Sequence, residues 1–200
     1  MKFRKERNRS NTQSYLNLAL FFLLSHCAVA PFATEHTAVP LGKDNNAIDF
    51  GLSPALYTQY SRGVTDSLDL GLGAEVQWGY SIYSWGKYSL MRQAKRSPVS
   101  VAAVAGVGVG LSVFNTSFVY LGPIVSKREG QHEFYLHPRL NHLRYGKQSG
   151  TDSSKDGFDI EGGSFNYVQL SGGYQYFFRE GFAFGISGLM FPQSRSQTWR

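Results

Sequence analysis

Between Val99 and Val113 no residue carries a charge, and the side chains sort by parity. Val99, Val101, Ala103, Ala105, Val107, Val109, Leu111 and Val113 form one set, while Ser100, Ala102, Val104, Gly106, Gly108, Gly110 and Ser112 form the other. A strand places alternate residues on opposite faces, so this stretch predicts a strand with one fully apolar face and one face of mostly small residues. A sheet wetted by water on its second face would be expected to carry Lys, Glu or Thr there. Small residues instead suit the crowded interior of a narrow barrel. The same period of two runs through Ser67 to Trp78, where Leu68, Leu70, Leu72, Ala74, Val76 and Trp78 alternate with polar residues and glycines.

The start of the chain has a different character. Lys2, Arg4, Lys5, Arg7 and Arg9 precede an apolar stretch, Leu16 to Leu24, which is followed by small residues. That order predicts a secretory signal peptide over residues 1–30. Nine helical residues rise only ~14 Å, too little to cross a hydrocarbon core. Removing the segment takes five basic residues and one acidic one, and the formal charge falls from +6 to +2. The basic balance therefore belongs mostly to the leader, and nucleic acid is not an expected partner. Ala28-Val29-Ala30 fits a small-x-small cleavage site, although Pro31 follows it. Cys27, the only cysteine, offers a second reading as the site of lipidation in a lipoprotein, with His26 departing from the small residue expected before it. If Cys27 leaves with the leader, the mature chain has neither a thiol nor a disulfide.

Residues 31–46 read as a polar lead-in and 47–200 as one domain. Within that domain the alternation predicts about eight strands, with eight to ten as the range. The first runs from Ile48 to Tyr60, with Pro54 marking an edge, a bulge or a break. Gly79 to Gly86 reads as a loop before a strand from Lys87 to Gln93, and Phe118 to Val125 as a strand before a turn at Lys127 to Gly130. His132 to Tyr145 shows an imperfect alternation, which predicts a bulge near Pro138 to Asn141. Gly146 to Gly163 is the longest loop, and strands from Val168 to Phe178 and from Phe182 onward follow it. Because unpaired amides cannot be left in hydrocarbon, such a set is expected to close as an all-β, antiparallel, up-and-down transmembrane β-barrel. Eight strands with both ends periplasmic would put the Gly146 to Gly163 loop on the periplasmic side, where turns are usually short. The alternative is a further strand within Thr34 to Leu41 or Met190 to Arg200.

At Tyr60 to Gly71 the stretch Tyr-Ser-Arg-Gly-Val-Thr-Asp-Ser-Leu-Asp-Leu-Gly resembles a strand-turn-strand unit common in small outer-membrane β-barrel proteins of Gram-negative bacteria. The resemblance implies a tight turn at its Gly-x-Thr-Asp part and an outer-membrane location. Barrels of that kind tend to end on an aromatic residue, whereas here Trp199 is followed by Arg200.

Charges inside such a barrel are expected to face its lumen, since a basic side chain at mid-membrane on the lipid face costs ~2 to 4 kcal/mol. Asp49, Asp69, Glu75 and Lys87 are therefore the candidate lumen-facing polar residues, forming an ion-paired plug or lining a narrow solute path. Leu68, Leu70, Leu72, Val101, Val107 and Val109 are the candidate lipid-facing residues. Leu70→Arg is accordingly expected to impair assembly more than Gly71→Ser. His132, His137 and His142 are spaced by five, which puts neighbours on opposite faces and makes a shared metal site unfavourable. No Gly-x-Ser-x-Gly elbow or phosphate loop is present, and Gly106 to Gly110 lies within a strand. No catalytic residue, metal or cofactor is expected.

The leading expectation is an integral, porin-like outer-membrane barrel with a structural, adhesive or minor-transport role and no catalysis. Its expected partners are outer-membrane lipid and the barrel-assembly machinery, with no ligand identified. An alternative is a soluble periplasmic or lipid-anchored barrel that binds an apolar ligand inside. A third reading is a barrel-embedded lipid-modifying enzyme. Turning a barrel inside out preserves its period, so alternation alone does not separate the first two.

Overall fold

The computed structural model describes residues 37–191 apart from 53–54, 77–78, 96, 112–114, 147, 150–158, 161 and 180–181. The leader, Cys27 and Trp199 lie outside the described residues, as do Pro54 and Trp78. The strands are β1 (Asn46–Leu52), β2 (Leu56–Gly63), β3 (Leu68–Val76), β4 (Tyr80–Met91), β5 (Ser100–Leu111), β6 (Thr116–Glu129), β7 (His132–Tyr145), β8 (Gln148–Ser149), β9 (Asp159–Ile160), β10 (Gly163–Arg179) and β11 (Phe182–Met190). Nine of them form one antiparallel sheet in the order β1-β2-β3-β4-β5-β6-β7-β10-β11, and β8 pairs with β9 in a separate small hairpin. The sheet curls into a half-barrel, with no helix among the described residues.

The predicted first strand, Ile48 to Tyr60, is two strands. β1 and β2 pair in the register Ile48↔Tyr60 and Leu52↔Leu56. Their three-residue connection, 53–55, keeps odd and even positions in phase across the turn, so the period of two runs through a hairpin unbroken. The stretch expected as a loop, Gly79 to Gly86, belongs mostly to β4, where Ser81, Tyr83, Trp85, Lys87 and Ser89 are buried while Tyr80, Ile82, Tyr88 and Leu90 are exposed. Aromatic residues on both parities hid that alternation. β6 runs on through Lys127 to Glu129, and the turn comes at Gly130, whose φ of 61° suits glycine. No bulge interrupts β7 near Pro138, which pairs with β10 in one register from Gly163↔Tyr145 to Tyr176↔His132. The apolar Leu143 fell on the apparently wrong parity because it is buried on the concave side. The register shifts lie elsewhere, at Ser89/Met91 and Phe177/Arg179.

Splitting the first strand moves the longest connection. In a meander of nine strands, 53–55, 77–79, 112–115 and 146–162 join strands at one end, and 64–67, 92–99, 130–131 and 180–181 join them at the other, where the chain also enters β1. The long 146–162 connection thus lies opposite the entry of the chain, not beside it as an eight-strand count requires.

The two faces differ sharply. Outward positions carry large apolar side chains in the open, including Phe50, Leu72, Ile82, Val107, Leu121, Leu140 and Ile186. Inward positions carry polar groups together with the buried rings of Tyr57, Tyr83, Trp85, Phe118, Tyr120, Tyr135 and Tyr167. Several of these rings pack against a glycine directly across the ladder: Tyr57 against Gly51, Trp85 against Gly71, Tyr83 against Gly73, Tyr120 against Gly106 and Phe118 against Gly108. A side chain on those glycines would overlap the ring, so the missing Cβ is what lets the aromatic residue fill the interior. Gly71→Ser is therefore not a mild change, because its Cβ would overlap the Trp85 indole. We expect Gly71→Ala to destabilise the folded barrel by ~1–3 kcal/mol through overpacking, read from its urea midpoint. An unshifted midpoint would mean that the ring has room to move.

Candidate lumen site

The inward residues near the chain's point of entry hold part of the segment that the sequence reads as a polar lead-in. Thr37 to Leu41 lies against the concave face, with Ala38 fully buried. Asp69 and Lys87 stand opposite each other on β3 and β4, and both are buried. The Lys87 Nζ lies 3.0 Å from the Asp69 carboxylate and donates to the carbonyls of Thr37 at 3.2 Å and Val39 at 2.9 Å. Asp69 in turn accepts the Leu41 amide at 3.1 and 3.2 Å. The Ala38 amide donates to Ser126 Oγ at 3.1 Å, and Thr37 Oγ1 donates to Glu133. Asp69 and Lys87 thereby neutralise each other and are hydrogen-bonded, the condition under which buried ions are tolerated.

Backbone contacts extend this hold. Asp44 donates to the Gly63 carbonyl at 2.8 Å, and the Gly63 amide donates to Asn45 at 2.9 Å. Gly63 has no side chain because the Gly42 carbonyl occupies the space where a Cβ would sit. The turn between β2 and β3 is closed by Thr65, whose Oγ1 accepts the amides of Ser67 at 3.2 Å and Leu68 at 3.0 Å. It covers the Gly-x-Thr-Asp unit noted in the sequence.

A second polar group lies farther along the wall. Arg139 Nη2 donates to Gln169 Oε1 at 2.7 Å, and its guanidinium sits 4.6 Å from the centre of the Tyr120 ring. Asn141 Nδ2 reaches the same Gln169 oxygen at 3.5 Å, and Ser171 Oγ donates to the His137 carbonyl at 3.1 Å. Arg139, Asn141, Gln169 and His137 are all at most 1% exposed. Their side chains and the surrounding rings occupy the interior.

Of the sequence candidates, Asp69, Glu75 and Lys87 are buried on the concave face and Asp49 is half-buried there. The structure joins Asp69 to Lys87 and leaves Glu75 and Asp49 at separate places on β3 and β1. Leu70, Leu72, Val107 and Val109 are exposed on the convex face, with Leu68 and Val101 half-exposed on the same parity. His137 is buried, whereas His132 and His142 face outward. No group of three His, Cys, Asp or Glu side chains that could hold a metal occurs among the described residues. No protein-family model, curated protein or solved structure matches this chain.

Sequence reasoning missed Glu133, Arg139 and Asn141 and gave His137 no place in a lumen group, yet a signal was present. They hold one parity of β7 while Phe134, Leu136 and Leu140 hold the other. Gln169 and Ser171 stood on the polar parity of the following strand. Nothing comparable marks Thr37 to Leu41, because a segment held mostly through its backbone needs few particular side chains.

Proposed function

We propose that the chain is an integral outer-membrane β-barrel protein with a filled interior and a structural or adhesive role, without catalysis. The observation that carries this reading is the inversion of polarity across the sheet. Phe50 is 77%, Leu72 61%, Leu121 61% and Ile186 68% exposed, while Asp69 is 0% and Glu133 and Arg139 are each 1% exposed. In water a convex face of that kind would be an apolar patch far beyond the few hundred Å² a soluble monomer ordinarily shows. In hydrocarbon it is the solvated face, and the antiparallel ladder satisfies the backbone of every strand except along the outer edges of β1 and β11. β5, β6, β7 and β10 contain 12, 14, 14 and 17 residues, above the roughly 9–11 that a tilted membrane strand needs.

The interior argues against the other readings. A soluble barrel for an apolar ligand needs an apolar lumen, but here the wall carries Asp69, Lys87, Glu133, His137, Arg139 and Gln169. Minor transport is disfavoured because Thr37 to Leu41 lies in one end and rings and the Arg139 group fill the wall beyond it. Sidedness also fits. With the entry of the chain on the periplasmic side, the 146–162 connection falls outside the cell, as long barrel loops do.

Carbonate extraction of envelopes, with electrophoresis of boiled and unboiled samples, tests the reading. The protein is expected in the pellet, with a mobility that changes on heating. Release into the supernatant as a monomer with no heat-dependent mobility would sink it.

A further inference from the structure

We infer that the cleft between β1 and β11 binds a phospholipid with a primary ammonium head group, entering sideways from the bilayer. The inference rests on the membrane reading above. Every other neighbouring pair in the nine-stranded order is hydrogen-bonded, but β1 and β11 are its two ends and are not paired with each other among the described residues. Both run in the same direction, being first and ninth in an antiparallel series. A cavity of about 620 Å³ joins them, with Ile48 on one lip and Phe182 on the other. A second cavity of about 430 Å³ continues along the same line between Phe50 and Leu52 on one side and Phe184 and Ile186 on the other.

The lips are apolar, with Ile48 62% and Phe182 59% exposed, whereas the floor is polar. Asp49, Gln59, Gln175 and Trp85 line the first cavity. Gln59 is 3% exposed and Trp85 7%, and the Trp85 indole nitrogen is buried without a hydrogen-bond partner. The side chains of Asp49, Gln59 and Gln175 likewise make no hydrogen bond or ion pair with another described residue. The Asp49 carboxylate and the Gln59 and Gln175 amides therefore converge, without a partner among the described residues, on one space whose mouth faces the apolar solvent. Gln59 is the buried one of the three, and a buried polar group calls for a partner.

Lys87 lies in the same lining but is already engaged by Asp69, Thr37 and Val39, which leaves Asp49 as the uncompensated charge. The complementary ligand carries a positive head that donates hydrogen bonds, phosphate oxygens for the amide donors, and acyl chains that stay between the lips. A primary ammonium meets the first requirement, and a charge-assisted N–H to carboxylate bond is the strong kind. A quaternary ammonium has no N–H to give, and a glycerol head has no positive charge.

The test uses the full mature chain with Trp78→Phe and Trp199→Phe, which leaves Trp85 as the only emitter. It is inserted into nanodiscs containing phosphatidylethanolamine, phosphatidylcholine or phosphatidylglycerol with brominated acyl chains at equal mole fraction. Brominated phosphatidylethanolamine is expected to quench Trp85 at least threefold more strongly than either other lipid, and Asp49→Asn to reduce it to the phosphatidylcholine level while the heat-dependent mobility persists. Equal quenching by the three lipids overturns the inference, as does an ethanolamine preference that survives Asp49→Asn. Should Asp49→Asn fail to fold, the comparison of lipids with Asp49 intact decides by itself. A chain that does not enter nanodiscs overturns the barrel reading instead.

Discussion

Arginine in place of Val107 is expected to lower the heat-modifiable protein recovered from envelopes by at least tenfold. Val107 sits midway along β5 on the convex face and is 52% exposed. On the proposed membrane reading a basic side chain there would meet the middle of the bilayer, at a cost of ~2–4 kcal/mol, and ~1.4 kcal/mol already corresponds to a factor of ten. Ser117→Arg is the matched control, since Ser117 is exposed on the same face but pairs with Val109 near a strand end. Near the interface the cost falls to ~0–1 kcal/mol, so that variant should assemble within a few-fold of the parent. Leu70→Arg should follow Val107→Arg, and Ser117→Arg is a sounder control than Gly71→Ser because it disturbs no ring. Equal recovery of the Val107 and Ser117 variants would show that the convex face is not in hydrocarbon.

Lys87→Met is expected to destabilise the refolded barrel by ~3–5 kcal/mol, the usual cost of stranding one buried charge. Asp69 would lose its counter-ion, and the carbonyls of Thr37 and Val39 would lose their donor. Adding Asp69→Asn should restore more than half of that loss, because the stranded charge is gone while the two carbonyls stay unserved. Urea unfolding of the three proteins measures both steps. A single variant within ~1 kcal/mol of the parent would mean that the ion pair does not hold Thr37 to Leu41 in place.

Alternation revealed the class of sheet and the orientation of nearly every strand, because burial on one face of a sheet is written at a period of two. It failed where that period carries no information. A three-residue hairpin preserves parity, which is why β1 and β2 read as one element. Interior rings such as Tyr83 and Trp85 look the same in sequence as outward ones, which hid the first half of β4. Leu143 broke the pattern by being apolar inside. The lumen charges Asp69 and Lys87 were legible as inward residues, but their pairing depends on the β3–β4 register, which composition does not set. The lodged segment Thr37 to Leu41 was not legible at all, since its main chain supplies most of the contacts.

The odd number of strands in the meander gives the molecule a polarity useful at the bench. An epitope inserted after Gly146, where β7 ends, and one inserted at Lys43, ahead of β1, lie at opposite ends of the sheet. In intact cells an antibody should decorate the first and miss the second, and permeabilising the envelope should reveal both.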